Sequence, residues 1–261
     1  MTVWISPLSG LYSHKGYWIS LSDFSWRRLQ PVPFRGIVSM PTTSIRSFGG
    51  RATIFGHPTC DDDGVCPLTD VIQYDPASNE WSSVGTLNEP ALWYTYIEVP
   101  ASYCVGLPLL EKKDKMAIER TVETEKEKEE EDDGPSGKDT DTVALIIGGI
   151  DYGYDESGPA ASTDYVQLYG CPGDHNEVTL FPRRVREAGA IYIPSADGDE
   201  EYVLVCGGYQ CPRSDPGCLE MSADCFTWFP STNEWERIDD LELPRSDHII
   251  VNVRICPLHQ L

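Results

Sequence analysis

One eight-residue pattern occurs twice in this sequence and constrains the fold more than any other feature. Tyr74 to Trp81 reads YDPASNEW, and Trp228 to Trp235 reads WFPSTNEW. A short β-prone run precedes each copy. Pro, Ser or Thr, and Asn between two strand-like runs are typical of a tight turn. A strand–turn–strand unit that recurs therefore predicts a repeat architecture.

A second recurring feature is a pair of glycines at the end of an apolar, strand-like run. The aromatic residue that opens the turn follows each pair at the same spacing. An all-β unit of about 50 residues is thus expected three times. The middle copy is weaker, because Val178 replaces its second aromatic. The recurring residues are Tyr74, Trp81, Gly148, Gly149, Tyr169, Gly207, Gly208, Trp228 and Trp235.

The units also predict where their first strands lie. We expect first strands at residues 36–40, 91–99 and 188–193, and a further one at 247–254. The N-terminal segment is expected to supply the second, third and fourth strands of another unit. Pairing of the two ends of the polypeptide in one unit would cover exposed strand edges.

The combination of an apolar second strand, Gly-Gly and an aromatic-x6-Trp turn resembles the kelch-repeat family. The resemblance implies an all-β, kelch-type β-propeller of four-stranded blades over residues 1–261. Kelch propellers usually have more blades than this sequence supplies. The protein is then either a propeller of about four blades or an open arc of a larger one. Gly56-His57 departs from the Gly-Gly pattern. In such a fold the repeated Trp and Tyr residues are expected to pack between blades.

Residues 101–142 interrupt the repeat between a first and a second strand. Within them, 123–133 reads ETEKEKEEEDD and is followed by GPSG. A segment with so little apolar surface cannot offset the entropy of ordering, which predicts a disordered acidic insertion. It is either a solvated loop or an acidic tether for a basic partner.

Nine cysteines are distributed over the units. Two loops in equivalent positions each hold a pair, which predicts a local disulfide in each. A third pair is expected to bond across neighbouring strands if its Cα atoms lie within about 7 Å. Such bonds favour an oxidising, extracellular compartment, although neither a signal-peptide pattern nor an Asn-x-Ser/Thr sequon occurs. Zinc is the alternative, but the spacing fits it poorly. The predicted pairs are Cys60 with Cys66, Cys211 with Cys218, and Cys206 with Cys225.

The protein is strongly acidic, with a net charge of −22. This charge argues against nucleic acid or an anionic membrane as partner and favours a basic protein. No apolar run is long enough to predict a membrane span.

The loops between second and third strands are acidic and would gather on one face of a propeller. A calcium site at 61–63 is an alternative interpretation of one such loop. The predicted acidic binding face comprises Asp61, Asp62, Asp63, Asp151, Asp155 and Asp215.

Nothing in the sequence indicates catalysis. The five histidines are scattered, and neither a P-loop nor a Gly-x-Ser-x-Gly motif occurs. We therefore expect a non-catalytic protein–protein interaction module with no metal and no cofactor. One alternative is a copper oxidase of the galactose oxidase type, whose Tyr and His ligands cannot be matched to residues of this sequence. Another is a truncated piece of a larger kelch protein.

Overall fold

A computed structural model describes residues 2–5, 17–20, 26–28, 30, 45–57, 69–104, 141–151, 161–171, 177–195, 200–211 and 220–252. Regular structure in these residues consists of β-strands and one short 3-10 helix, Ala101–Cys104. The first sheet is antiparallel and has three strands: β1 (Thr2–Ile5), β2 (Tyr17–Ser20) and β3 (Trp26–Arg28). No helix in the described ranges is long and apolar enough to cross a membrane.

Three further sheets have four antiparallel strands each, so the prediction of an all-β protein with four-stranded units is confirmed. A closed ring is not seen among the described residues. The second sheet contains β4 (Ile45–Phe48), β5 (Arg51–His57), β6 (Asp70–Asp75) and β7 (Glu80–Thr86). The third contains β8 (Thr95–Pro100), β9 (Thr142–Ile147), β12 (Tyr165–Tyr169) and β13 (Glu177–Leu180). The fourth contains β15 (Gly189–Ile193), β16 (Tyr202–Cys206), β18 (Cys225–Phe229) and β19 (Glu234–Ile238).

Four very short strands lie outside these sheets and form what we call the edge ladder. Strand β10 (Ile150–Asp151) pairs with β11 (Ala161–Ser162), and β14 (Arg184–Arg186) pairs with β17 (Tyr209–Cys211). The Val185 N–H donates to the Thr163 carbonyl at 2.8 Å and so connects the two pairs. The edge ladder thereby links the third and fourth sheets along one edge.

The sheets pack face to face, and β9 lies at the centre of the stack. Consecutive side chains of a strand point to opposite faces. One set from β9 packs against the fourth sheet, and the other set packs against the second. A strand covered on both faces needs a continuous apolar run, which explains the sequence TVALII. The first core contains Val143, Leu145, Ile147, Val203, Val205 and Trp228, and the second contains Ala144, Ile146, Phe48, Phe55 and Val71.

The same backbone hydrogen bonds recur in successive units. The Gly149 N–H donates to the Val185 carbonyl at 2.8 Å, and the Gly208 N–H donates to the Arg245 carbonyl at the same distance. Gly149 and Gly208, which follow the second strands of the third and fourth sheets, thus each hold the segment that follows their own sheet in the same way.

A second repeated bond involves positions at which the residue type differs. The Glu187 N–H donates to the Trp93 carbonyl, and the Asp247 N–H donates to the Glu187 carbonyl, both at 2.9 Å. All three residues have a positive φ, of 57°, 54° and 54° in sequence order. The repeat is therefore carried by backbone conformation at positions where the side chains differ.

Three predicted first strands need correction. The segment 36–40 lies outside the described residues, and the strand that pairs with β5 is β4. Gly49 and Gly50, at φ 56° and 74°, join β4 to β5. Two central residues with positive φ are the mark of a tight hairpin turn, and the sequence analysis missed this Gly-Gly signal. Strand β8 begins only at Thr95, because Leu92 bridges to the edge ladder instead.

The predicted strand at 247–254 is not formed over its described part, 247–252. Ile249 and Val251 are largely exposed there. Within the described ranges no neighbouring strand pairs with this segment, which removes the reason for a regular strand.

Two disulfides connect described cysteines. Cys206 and Cys225, predicted to pair, face each other across β16 and β18 with their Cα atoms 4.1 Å apart. Cys104 and Cys171 form a second disulfide, with Cα atoms 5.4 Å apart, that the sequence analysis missed. The other predicted pairs involve Cys60, Cys66 and Cys218, which lie outside the described residues, whereas Cys211 is disulfide-bonded.

The ends of the predicted 101–142 insertion are part of the fold. The Ala101 N–H donates to the Asp141 carbonyl at 2.9 Å, and Tyr103 is buried. Residues 105–140 lie outside the described residues.

Candidate functional site

Most of the predicted acidic face lies outside the described residues. This applies to Asp61, Asp62, Asp63, Asp155 and Asp215. The backbone of Asp151 lies in β10, opposite Ala161. Residues 152–160 follow β10, and residues 212–219 follow β17. The edge ladder is therefore the base from which both predicted acidic loops leave.

The repeated aromatic residues lie away from this edge and serve packing. Tyr74 and Trp228 are buried. Tyr74 faces Trp81 across β6 and β7 with ring centroids 5.4 Å apart, and Trp228 faces Trp235 in the same way at 6.1 Å. In the weaker middle unit, the Tyr169 hydroxyl donates to the Val84 carbonyl at 3.0 Å.

The repeated glycines lie at the edge of the sheets and allow the units to approach closely. Gly148 and Gly207 have a φ of 61° and 67°, which residues with a side chain rarely adopt. A Cβ on Gly148 would come within 2.0 Å of the Val185 carbonyl oxygen. This crowding explains why glycine is required where β9 ends.

An arginine lies at one end of the β14–β17 pair in the edge ladder. Val185 belongs to the apolar core between the third and fourth sheets. Because side chains alternate along a strand, Arg186 is placed on the opposite face of β14. It is nevertheless only 7% exposed. The guanidinium carbon lies 4.9 Å from the ring centroid of Tyr209, its partner across the ladder, and 5.7 Å from that of Trp93.

Arg186 differs from the neighbouring arginines in having no hydrogen-bond acceptor. The Arg183 Nη1 lies 3.2 Å from an Asp224 carboxylate oxygen, and the Arg184 Nη1 donates to the Ser162 carbonyl at 3.1 Å. The Arg186 Nε is buried without a hydrogen-bond partner. Within the part of the protein that the structure describes, no carboxylate forms an ion pair with Arg186. Buried arginine is ordinarily paired, which makes this residue conspicuous.

Further unpartnered polar atoms lie on the same edge. Buried polar groups in folded proteins almost always have a partner, which a protein group or an ordered water supplies. Similar atoms occur away from this edge, at Arg46, Tyr103 and Trp235. The atoms on this edge are Trp93 Nε1, Ser162 Oγ, Thr163 Oγ1, Arg184 Nε and both ring nitrogens of His248.

Two carboxylates complete the electrostatic environment. Burial, and then the nearby charge of Asp247, raise the pKa of Glu187, while Arg186 opposes that shift. Burial and the charge of Arg245 lower the pKa of His248, which favours the neutral imidazole. The edge therefore combines one buried cation with a pair of acidic groups.

The chemistry of this edge is that of hydrogen-bond donors beside acidic side chains. In the described ranges no three His, Cys, Asp or Glu side chains are grouped so that they could hold a metal ion. The unpaired guanidinium, in contrast, is a ready donor to an anion. The sequence analysis missed Arg186. The available signal was the alternation Arg184-Val185-Arg186, which predicts two arginines on one face of a strand.

Neither a family model nor a curated protein matches this sequence.

Proposed function

We propose that this protein is a non-catalytic protein-binding module of the kelch-repeat propeller type, whose partner contacts the edge that carries the edge ladder. The observation that carries the proposal is the repeated set of inter-unit hydrogen bonds at Gly149 and Gly208. Units that hold each other in the same way present equivalent loops in equivalent positions.

The antiparallel order of the strands supports a common edge for the variable loops. Neighbouring strands of a sheet are antiparallel, as β8, β9 and β12 are. The end of the second strand therefore lies beside the start of the first strand and beside the start of the third strand. The loops between second and third strands therefore leave from one edge. Loops held by a rigid scaffold are the usual place for binding residues.

We expect the acidic loops at this edge to select a basic surface on the partner. Opposite charges speed encounter and make binding depend on salt. Alanine at Asp61, Asp62 and Asp63 should reduce the amount of bound partner at low salt and flatten its salt dependence. The readout is the partner that copurifies with the full-length protein at several salt concentrations.

The matched control removes the same charge near the turns at the opposite edge. The exposed residues Glu80, Glu200 and Glu234 lie near those turns. Their triple alanine variant should bind as the wild type does. Equal loss of partner in both variants would show that net charge, rather than the loops, governs binding.

Two measurements separate this proposal from its alternatives. Stoichiometric copper in the purified protein would favour the oxidase over the binding module. The absence of a cooperative thermal transition would indicate a piece that does not fold by itself.

A further inference from the structure

We infer that Arg186 anchors a carboxylate-binding site at the edge ladder, which receives one acidic group of a partner protein. The group is the carboxylate of an Asp or Glu side chain or the carboxylate that ends a polypeptide. The inference rests on the proposed function only in assigning the carboxylate to a protein partner. The binding site itself rests on Arg186, Trp93 and Tyr209.

The first argument is that the guanidinium is buried and unpaired. At 7% exposure, Arg186 has lost most of its contact with water, and its Nε has no hydrogen-bond partner. Burying a charge without a partner is strongly unfavourable, whereas a hydrogen-bonded counter-ion offsets that cost. The charge of Arg186 acts on the Glu187 carboxyl, but its Nε still lacks a hydrogen-bond acceptor, which a bound anion would supply.

The second argument is the way the two aromatic rings hold the guanidinium. Tyr209 and Trp93 lie within cation–π distance, at 4.9 and 5.7 Å from the Arg186 guanidinium carbon. These rings accept no conventional hydrogen bond from Arg186, and its Nε remains without a partner. A planar carboxylate can accept two guanidinium N–H donors side by side.

The third argument concerns which anion fits. Glu187 and Asp247 lie beside the site, and their negative charges oppose a further anion. A phosphate monoester carries about −1.5 to −2 charge at neutral pH, whereas a carboxylate carries a single negative charge. Repulsion therefore disfavours the phosphate more. Charges elsewhere on this acidic protein are largely screened beyond about 8 Å at physiological salt.

The site also fits the charge pattern of the proposed binding edge. The segments 152–160 and 212–219, predicted to form acidic loops, follow two strands of the edge ladder in the sequence. A complementary partner would present a basic surface around one carboxylate. A buried charge-assisted hydrogen bond of this kind fixes the register of a complex more than it adds affinity.

The test uses three small probes and the full-length protein. N-acetylglycine presents a C-terminal carboxylate, N-acetylglutamic acid α-amide presents a side-chain carboxylate, and N-acetylglycinamide presents neither. Binding is measured by the NMR signal of the Arg186 Nε–H group and by the thermal unfolding temperature. We expect one or both carboxylates to shift the signal and raise that temperature, and the neutral amide to do neither. The stronger of the two carboxylates identifies the source of the group.

Variants at Arg186 separate binding from folding. Arg186→Lys keeps the charge but loses the planar pair of donors, and should weaken carboxylate binding roughly tenfold. Arg186→Met should abolish binding and leave the unfolding temperature no lower than in the unliganded wild type, because an unpaired buried charge is removed. Arg237→Met, at an exposed arginine paired with Asp224 and Asp240, is the control and should bind the carboxylates normally.

Four results would overturn the inference: equal binding of the neutral amide, tighter binding of inorganic phosphate, wild-type carboxylate binding by Arg186→Lys, or a large loss of stability in Arg186→Met. If Arg186→Met does not fold, the role of Arg186 is structural. The small probes test the site, whereas partner capture tests the proposed function. If the carboxylates bind but capture of the partner does not depend on Arg186, the carboxylate site stands. That result contradicts only the assignment of the carboxylate to a protein partner.

Discussion

The indole Nε1 of Trp228 donates a hydrogen bond to the Asn233 side-chain oxygen at 3.0 Å, across the turn between β18 and β19. In the second sheet, the Tyr74 hydroxyl donates to the side-chain oxygen of Asn79 in the same position. Both asparagines have a positive φ, of 57° and 63°. Asparagine is one of the few residues with a side chain that tolerates this conformation. Each asparagine therefore shapes the turn and also satisfies a buried aromatic donor.

Substitutions at Asn233 should separate these two roles. Asn233→Ala strains the backbone and leaves the buried Trp228 Nε1 unpaired, so it should cost about 2–4 kcal/mol of unfolding free energy. Asn233→Gly keeps the backbone free and loses only the acceptor, at about 1–3 kcal/mol. Asn233→Asp keeps both properties and should be nearly neutral. Urea unfolding of the three variants measures the order of their stabilities. Equal stability of Asn233→Gly and the wild type would contradict the role of the hydrogen bond.

Two glycines with a positive φ should respond very differently to alanine. At Gly148 an added Cβ would lie 2.0 Å from the Val185 carbonyl oxygen, whereas at Gly50 nothing lies within 4 Å. Gly50→Ala should cost about 1–2 kcal/mol, from backbone strain alone. Gly148→Ala must also displace β14, and should cost more than about 4 kcal/mol or prevent folding. Soluble yield and thermal unfolding provide the comparison, and similar costs at the two positions would argue against close approach of the units.

The two disulfides should contribute unequally to stability. Cys104 and Cys171 are 67 residues apart, and Cys206 and Cys225 are 19 apart. A cross-link that closes a longer loop removes more conformational entropy from the unfolded polypeptide. For this ratio of loop lengths, the difference in unfolding free energy is about 1 kcal/mol. The Cys104→Ser/Cys171→Ser variant should therefore be less stable than Cys206→Ser/Cys225→Ser. Denaturant unfolding under oxidising conditions measures the difference, and the reverse order would show that native-state contacts dominate.

Glu187 should make stability depend on pH. Burial and Asp247 raise the pKa of its carboxyl above the usual 4.5. The unfolded protein then loses this proton more readily than the folded protein, so stability falls as the pH rises above about 4.5, through the folded-state pKa. Glu187→Gln should be more stable than the wild type at neutral pH, and the difference should shrink towards pH 4. Thermal unfolding across this pH range tests the direction in which stability changes. Glu236→Gln, on the exposed strand β19, is the control. A difference that does not change with pH would contradict it.

Much of each unit could be predicted from local sequence. Residues 143–147 are apolar throughout and form β9, and Tyr74, Asn79 and Trp81 mark a turn that the structure contains. Such features depend on side-chain alternation and turn chemistry within a few residues. The Gly49-Gly50 hairpin is a local feature as well. It was not predicted, because the repeat spacing indicated another segment as the first strand.

The candidate site could not be predicted in this way. Arg186, Tyr209 and Trp93 come from three separate parts of the sequence and meet at one edge only when the sheets stack. The Cys104–Cys171 disulfide likewise joins segments on either side of residues 105–140. No spacing in the sequence encodes either contact.

The sequence by itself determined the second and third strands of the three units and the turns between paired aromatic residues, because these follow from the nearest neighbours along the polypeptide. The tertiary structure alone decided that Val185 enters the core while Arg186 is buried unpaired between two aromatic rings. The physical reason is that burial and pairing depend on which residues the fold places against a side chain, and Trp93 and Tyr209 are both distant from Arg186 in the sequence.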